Sequence, residues 1–308
     1  MPFSRQRSLR SLLTLGCLVA VGGVSGVLPA VAADDPVIYL SDPQIDESSG
    51  LAQSNRSPRH LWTHNDSGDS ARLFAFDHNG RVTGGCSLAA VKAIDFEDMA
   101  SFVQDGVARL VVADVGDNDS VRPFVSLYFF DEPDPNRQTV IRDWLRVDLR
   151  YPDGARDCEA IAVDTETETV TLVSKSFLPI ASVYELALPA RPVAEGPVIK
   201  GRTSGSNGDN DDDSPPALRR VGRLPLALIT AMDRCRTTGD ILLTNYFHLL
   251  RFPKSAPGRP WWEQTPVITE LPRLRQIEAV ASDDDGRVWV SSEGTPAPLA
   301  RVEEPVTP

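Results

Sequence analysis

Paired carboxylates recur in this chain at fixed places in a six-residue motif. The motif is an acidic or amide residue, any residue, a polar residue, a small residue, an apolar residue and Ala, and it occupies residues 47–52, 95–100, 157–162 and 276–281. Residues two apart share one face of a strand, so Asp95 points the same way as Glu97, and Asp157 the same way as Glu159. Carboxylate oxygens that converge in this way suit Ca²⁺ binding or general acid–base chemistry.

The interval between the last two copies of the motif is nearly double the others, which indicates that one copy has lost its acids. Residues 228–233 are the best candidate, because Ala231 and Met232 keep the register while Leu228 and Thr230 replace the carboxylates. Self-similarity at a spacing of about 40–60 residues is the signature of a propeller or solenoid. The count predicts five repeating units and leaves six open.

Further β-rich runs follow each motif. Second runs lie at 60–64, 109–113, 170–174, 240–244 and 287–291, third runs at 72–77, 126–130, 182–188 and 249–252, and weaker fourth runs near 81–88, 145–151 and 197–201. Long helical periodicity is missing from the sequence. The pattern therefore predicts an all-β fold, a single β-propeller domain over residues 34–308 with a disordered acidic insert at 202–218. A strand at 37–41 is expected to complete the last blade and close the ring.

Antiparallel pairing places the start of each first strand beside the end of the second, so two sets of polar residues should meet at one channel mouth. Asp95 and Asp157 belong to the first of these sets. The predicted metal ligands are Glu47, Asp66, Glu97, Asp114, Glu159, Glu278 and Glu293. Oxygen-only ligation favours Ca²⁺, and zinc is disfavoured because only His64 falls at the mouth. The alternative is that these acids cap strand starts or form ordinary turns.

Lys175 is the unusual cation of the predicted mouth, because the chain has 27 Arg and only four Lys and this one ends a strand among acids. One interpretation is a salt bridge to Glu159 or Asp114. The other is a catalytic set in which Glu159 or Glu278 is the general base and Lys175 the electrostatic partner that holds a substrate anion.

The N-terminus has the pattern of a secretion signal in residues 1–33. Arg5, Arg7 and Arg10 precede an apolar run, and cleavage is expected near Ala32 or Ala33. The mature chain is then predicted to be secreted or part of the cell envelope, without an integral membrane span. Loss of the three arginines takes the formal charge from −12 to −15, which disfavours nucleic acid as a partner.

Three cysteines remain after this cleavage, an odd count that allows one disulfide and leaves one thiol in an oxidising compartment. Cys158 and Cys235 are the expected pair if a bridge forms, because both are expected near the starts of innermost strands in adjacent units. The alternative is that these two and Cys86 are all buried thiols.

Several blocks of the sequence resemble a poorly characterised family of secreted bacterial β-propellers. The blocks are residues 47–51, 62–68, 95–98, 114–118, 157–160 and 291–294. More distantly, the layout is similar to phytase-like, gluconolactonase-like and NHL-type propellers. The resemblance covers roughly residues 37–304 and implies a propeller fold. It also implies calcium chemistry, since phytase-like propellers hold phosphate with clustered calcium ions and lactonase-like propellers place an acid or base beside one axial calcium.

Two functions follow as hypotheses. The first is a binding or scaffold protein whose mouth holds a divalent cation and an unknown small-molecule or protein ligand, since propellers host many unrelated functions. The second is a calcium-dependent hydrolase of phosphoesters or lactones.

Overall fold

The chain folds into five antiparallel sheets arranged as the blades of a propeller. The computed structural model describes residues 37–192, 198–200, 215–256 and 258–303. The predicted signal peptide therefore lies outside the described residues, as does the part of the predicted acidic insert at 202–214. Within the described ranges, the only helix is a three-residue 3₁₀ turn, Trp261–Glu263, which confirms the all-β class.

The strands follow one another outward from the axis within each blade. Blade 1 holds β2 (Ser48–Gln53), β3 (His60–Asn65), β4 (Arg72–Asp77) and β5 (Val82–Leu88), and blade 2 holds β6 (Phe96–Gln104), β7 (Val107–Asp114), β8 (Val125–Asp131) and β10 (Leu145–Leu149). Blade 3 holds β11 (Cys158–Asp164), β12 (Thr169–Ser174), β13 (Ala181–Ala187) and β15 (Arg219–Leu224), and blade 4 holds β16 (Ile229–Arg234), β17 (Ile241–Asn245), β18 (His248–Phe252) and β19 (Val267–Glu270). Blade 5 holds β20 (Ile277–Ser282), β21 (Val288–Ser292), β22 (Pro298–Val302) and β1 (Ile38–Tyr39).

The N-terminal strand closes the ring, as predicted. β1 pairs antiparallel with β22, with Ile38 opposite Leu299 and Tyr39 opposite Pro298, and so becomes the outermost strand of blade 5. Blade 5 is therefore assembled from both ends of the described chain, which ties the first and last parts of the chain together and covers the outer edge of β22.

Five hydrophobic clusters fill the five contacts between neighbouring blades, including the contact between blades 5 and 1. Trp62 and Tyr128 pack between blades 1 and 2, for example, and Phe76 and Trp289 between blades 1 and 5. Alternating apolar residues on strands that face a sheet on each side produce this arrangement. The degenerate motif at 228–233 supplies the innermost strand of blade 4, which confirms five blades.

Segments from the following blade cover the outer edges of the first three blades. β9 (Gln138–Ile141) leaves blade 2 and pairs in parallel with β5, and β14 (Val198–Lys200) leaves blade 3 and pairs in parallel with β10. The 3₁₀ turn packs on β15, where the Trp262 indole approaches Gly222 so closely that a Cβ would lie 2.3 Å from its Nε1.

Two sequence-based expectations need correction. The run near 197–201 is not the fourth strand of blade 3, because β14 joins blade 2 and β15 takes that place. Cys158 and Cys235 form no disulfide, and these two and Cys86 are buried free thiols. Cys158 starts β11 at the mouth, whereas Cys235 follows the end of β16, so the two thiols lie at opposite ends of the innermost strands.

Candidate metal centre

A β-bulge near the start of the innermost strand places three of the motif carboxylates at the channel mouth. The ladder skips one residue in β6, β11 and β20, and that residue is Glu97, Glu159 and Glu278 respectively. A bulge leaves the extra residue unpaired and re-aims its side chain. β16 has the same bulge at Thr230, so the fourth copy keeps the backbone geometry without the acid.

The first blade differs because its bulge comes one residue later, at Gly50. Gly50 has a φ of +71°, and a Cβ there would lie 2.5 Å from His64 Nε2. Both the backbone conformation and the close ring require glycine. His64 is fully buried, and burial lowers the pKa of its ring to about 4, so the imidazole is neutral at physiological pH.

Seven carboxylates form one continuous cluster, here called the acidic mouth. It contains three groups of carboxylates whose oxygens lie within 4.8 Å of one another: Asp66 with Asp95 and Glu97, Asp66 with Glu278 and Glu293, and Glu97 with Asp157 and Glu159. Asp66 and Glu97 each belong to two of these groups. The acids come from loops and strands of blades 1, 2, 3 and 5, which are distant in sequence.

The structure brings together five of the seven predicted ligands: Asp66, Glu97, Glu159, Glu278 and Glu293. Asp95 and Asp157 join them, although the predicted ligand set omits them. The signal for both was present in the sequence, since each stands two residues before an acid on the same face.

The two other predicted ligands lie elsewhere. Glu47 is exposed and pairs by its backbone with Glu293, at the edge of the acidic mouth. Asp114 is buried and accepts hydrogen bonds from the backbone N–H groups of Ile94 (3.2 Å) and Asp95 (3.1 Å) and from Arg122 Nη2 (2.8 Å). The Asp114 carboxylate therefore holds the loop before β6 in place.

Glu97 is the carboxylate of the acidic mouth whose surroundings call most strongly for a cation. Its side chain is only 4% exposed, and no group among the described residues donates a hydrogen bond to its oxygens. Asp95 Oδ1 is likewise buried without a donor in the described part of the chain. Gly116 leaves room for both groups, since a Cβ there would lie 2.2 Å from Glu97 Oε1 and 2.4 Å from Asp95 Oδ2. Buried carboxylates without donors carry a large desolvation cost.

The proton affinity of the acidic mouth reflects this cost. Burial raises the pKa of Glu97 well above its usual range, and repulsion from Glu159 and Asp66 adds to the effect. Burial, followed by repulsion from Asp66, raises the pKa of Asp95 to about 7. Burial and repulsion from Glu293 raise the pKa of Glu278 to about 7. Without a metal, the acidic mouth therefore keeps protons near neutral pH.

Lys175 provides the positive charge on one side of the acidic mouth. It forms an ion pair with Glu159, and its Nζ lies 5.4 Å from the centre of the Tyr246 ring. Burial opposes the charged lysine, but the Glu159 carboxylate beside it raises the pKa of Lys175. The salt-bridge interpretation of Lys175 is therefore the one that the geometry supports, with Glu159 as the partner. Tyr246 Oη in turn lies 3.5 Å from Glu278 Oε1.

Ordinary turn chemistry supports the loops that carry the acidic mouth. Asn65 Nδ2 donates to the backbone oxygen of Gln44 (2.7 Å) and to Asp69 Oδ2 (3.0 Å), next to Asp66. Asp117 accepts two backbone N–H groups of its own loop, and its own N–H donates to Asp157 Oδ1 at 3.0 Å. Asp117 is thus a loop former that also positions Asp157.

The fold and this site define the class of protein: a five-bladed β-propeller with an acidic channel mouth. No protein-family model matches the chain, and no curated protein matches it. Solved structures resemble it at low similarity. The PQQ-bound aldose sugar dehydrogenase from Streptomyces coelicolor has 9% sequence identity and a TM-score of 0.43 over 87% of this chain and 96% of that one. A putative oxidoreductase (glucose dehydrogenase) from Thermus thermophilus has 14% identity and a TM-score of 0.41 over 86% of each chain. Similarity at this level transfers neither an activity nor a cofactor. No helix in the described ranges is long and apolar enough to cross a membrane.

Proposed function

We propose that this protein is a binding or scaffold protein whose acidic mouth holds a divalent cation, with Ca²⁺ as the preferred ion. The observation that carries the proposal is the buried Glu97 carboxylate, which has no donor among the described residues and lies within 4.8 Å of carboxylate oxygens on both sides. A divalent cation would offset the repulsion that otherwise keeps these groups protonated.

Ca²⁺ fits the donor set better than zinc or magnesium. The seven side chains offer only carboxylate oxygens, and Ca²⁺ accepts six to eight oxygens at flexible geometry. Mg²⁺ requires near-ideal octahedral geometry, and zinc favours nitrogen and sulfur. Asp66, Asp95 and Glu97 would form the centre of the site, because Asp66 and Glu97 also reach the other two groups.

A calorimetric titration with Ca²⁺ tests the proposal. Wild-type protein and the Glu97→Gln and Glu159→Gln variants are compared with Asp105→Asn, a control that removes one charge from the turn at the far end of β6. Asn tolerates the positive φ of Asp105, which is 51°. We expect the control to bind as wild type and Glu97→Gln to bind at least about tenfold more weakly, the loss of roughly 1.4 kcal/mol of binding free energy. Equal affinity in all four proteins would remove the metal hypothesis.

A second candidate function is a calcium-dependent hydrolase of phosphoesters or lactones. The observation that favours it is the arrangement of Lys175, Tyr246 and Glu278 beside the proposed ion, where Glu278 has a pKa of about 7, suited to a general base. Glu159 would take that role less readily while Lys175 is paired with it. Phosphoester and lactone panels, assayed with wild type and Glu278→Gln in Ca²⁺ and in EDTA, separate the two candidates. A hydrolysis rate that is lost both in EDTA and in the variant selects the enzyme.

The proposed location is outside the cytoplasm, after cleavage near Ala32 or Ala33. Calcium sites of extracellular modules have dissociation constants of about 10⁻⁴–10⁻³ M, an affinity that does not require a high-affinity calcium-binding loop of the intracellular kind. Mass spectrometry of the protein recovered from the culture medium or envelope of its host tests this. A chain that keeps residues 1–33 in the cytoplasm would contradict it.

A further inference from the structure

Exposed apolar side chains concentrate on the same side of the propeller as the acidic mouth. Among the described residues, eleven large apolar side chains are exposed, and six of them lie in connections at the mouth end of the strands: Ile94, Val121, Phe177, Leu178, Ile180 and Phe247. Exposed apolar side chains that lie together in one patch mark an interaction site.

Four of these side chains lie in one loop of blade 3 and one loop of the neighbouring blade 4, here called the apolar rim: Phe177, Leu178, Ile180 and Phe247. Phe177 is 89% exposed and stands two residues after Lys175, and Phe247 is 63% exposed and follows Tyr246 directly. Because Lys175 lies over the Tyr246 ring, the two loops of the apolar rim meet at the edge of the acidic mouth.

The loops of the apolar rim are held by specific hydrogen bonds. The Leu178 N–H donates to Ser176 Oγ (3.1 Å), and the backbone oxygen of Ser176 accepts the N–H of Leu228 (2.8 Å) from the next blade. The Phe247 N–H donates to Asn245 Oδ1 at 2.9 Å. These hydrogen bonds fix the conformation of the two loops, and Phe177 and Phe247 are exposed in that conformation.

Charge complementarity identifies the ligand that fits beside this rim. Three cations beside the acidic mouth have carboxylate partners: Lys175 pairs with Glu159, Arg122 with Asp114 and Arg72 with Asp69. Glu278 and Glu293 share the amide of Gln276, and Glu278 lies beside Tyr246 without an ion-pair partner among the described residues. An ammonium or guanidinium group would be attracted there, whereas an anionic lipid surface would be repelled.

We infer that the mouth face docks a protein partner through an exposed peptide segment in which a basic residue stands between apolar residues. The basic side chain enters beside Glu278, and its apolar neighbours cover Phe177 and Phe247. This inference rests on the proposed binding role of the mouth, with the cation centred on Asp66, Asp95 and Glu97 so that the Glu278 carboxylate is left for the basic side chain. A few anchor residues carry most of the binding energy of a protein interface, and aromatic side chains are enriched among interface residues.

Fluorescence anisotropy with three labelled peptides tests the inference on the full-length protein. The first peptide has one lysine flanked on each side by two leucines, the second has glutamate in place of the lysine, and the third has serines in place of the leucines. We expect the first to bind at least tenfold more tightly than either of the others. The double variant Phe177→Ser, Phe247→Ser and the variant Glu278→Gln should each weaken the first peptide at least tenfold.

Val103→Ser is the matched control, because Val103 is an exposed apolar residue (48%) towards the far end of β6. It should leave peptide binding unchanged. The proposal is overturned if the first peptide shows no binding up to millimolar concentration, if the glutamate peptide binds as well, or if Val103→Ser weakens binding as much as the rim variant. Binding to anionic phosphatidylglycerol vesicles without peptide binding would also overturn the proposal, because it would identify the partner of the mouth face as a membrane and not a protein.

A calcium titration of the same rim variant separates this inference from the proposed metal site. Phe177 and Phe247 offer no ligand oxygen, so their replacement should leave calcium affinity unchanged. Peptide binding without calcium binding in wild type would refute the metal proposal and leave the docking surface standing. Calcium binding without peptide binding would refute the docking surface and leave the metal proposal standing.

Discussion

Glu97 and Asp98 are neighbours on the same strand, yet the structure gives their carboxylates opposite surroundings. Both are buried, at 4% and 0% exposure. Glu97 lies at the bulge, among other acids, with no donor in the described part of the chain. Asp98 accepts hydrogen bonds from three backbone N–H groups, those of Met99 (2.8 Å), Ile161 (2.8 Å) and Met232 (3.2 Å).

Asp98 joins three blades at the axis. Met99 belongs to blade 2, Ile161 to blade 3 and Met232 to blade 4. The corresponding position of the other copies holds a small residue: Gly50, Ala160, Ala231 or Ala279. The single Asp thus satisfies donors that small residues cannot reach.

Proton affinity does not separate the two acids, because burial raises the pKa of Asp98 as it does that of Glu97. The difference lies in hydrogen-bond satisfaction. A buried acid with its donors in place contributes to the fold, whereas a buried acid without donors costs stability until a ligand compensates it.

Asp98→Ala is expected to have the largest effect on the free energy of unfolding. The substitution orphans the inter-blade N–H groups of Ile161 and Met232, and each buried donor without a partner costs about 1–3 kcal/mol. Urea unfolding monitored by tryptophan fluorescence measures the loss, and Asp98→Asn, which keeps one acceptor oxygen, should lose less. A destabilisation below about 1 kcal/mol for Asp98→Ala would show that the axis does not depend on this residue.

Glu97→Gln is expected to have the opposite effect on the metal-free protein. At pH 8 in EDTA, the variant should unfold at a temperature equal to or above that of wild type, because glutamine resembles the protonated acid and removes one repulsive charge. Saturating Ca²⁺ should raise the melting temperature of wild type and of Asp105→Asn, but raise that of Glu97→Gln much less. A large decrease in the melting temperature of Glu97→Gln in EDTA would show that the Glu97 carboxylate stabilises the fold, as the Asp98 carboxylate does.

The pH dependence of stability gives a third test of the acidic mouth. Asp95 and Glu278 have pKa values of about 7 in the folded chain, above their unfolded values. The folded state therefore binds their protons more tightly, and the free energy of unfolding should fall as the pH rises through 7. The lowered pKa of His64 has the opposite effect, because it makes the free energy of unfolding increase with pH. That increase is largely complete above the unfolded pKa of about 6.5.

Melting temperatures measured in EDTA between pH 6.5 and 8 should consequently decrease, and saturating Ca²⁺ should remove most of the decrease because the ion replaces the protons. Glu278→Gln should flatten the profile in EDTA. A melting temperature that increases over this interval in EDTA would contradict the raised pKa values. It would also contradict the conclusion that the carboxylates of the acidic mouth lack compensating partners in the metal-free protein.

The sequence predicts the ring, its closure and the convergence of the acids, because these depend on a repeating pattern and on antiparallel geometry. It does not predict the bulge at Glu97, Glu159 and Glu278, since a bulge is defined by how two strands pair and leaves no mark on either strand alone. The parallel strands β9 and β14 are missed for a similar reason: strand propensity does not specify a partner in another blade.

The role of Asp98 is hidden for a different reason. In the sequence it is an acid beside other acids, in a position where the remaining copies hold Gly or Ala. Only the placement of the Ile161 and Met232 N–H groups separates it from Glu97. Candidate ligands drawn from a motif therefore need the hydrogen-bond partners of each acid before they are assigned.

Glu159 is intermediate between Glu97, which has no hydrogen-bond donor in the described part of the chain, and Asp98, which has three. It has one cationic partner, Lys175, and it also belongs to the acidic mouth. Lys175→Gln should free this carboxylate and remove a charge that repels Ca²⁺, so calcium affinity is expected to increase modestly, by about fivefold or roughly 1 kcal/mol. Calorimetry measures the change, and Lys254→Gln is the control, since Lys254 pairs with Glu166 near the far end of blade 3. A decrease in calcium affinity for Lys175→Gln would instead mean that the lysine positions the Glu159 carboxylate for the ion, and Glu159 would then belong with Glu97 as a ligand rather than with Asp98 as a structural acid.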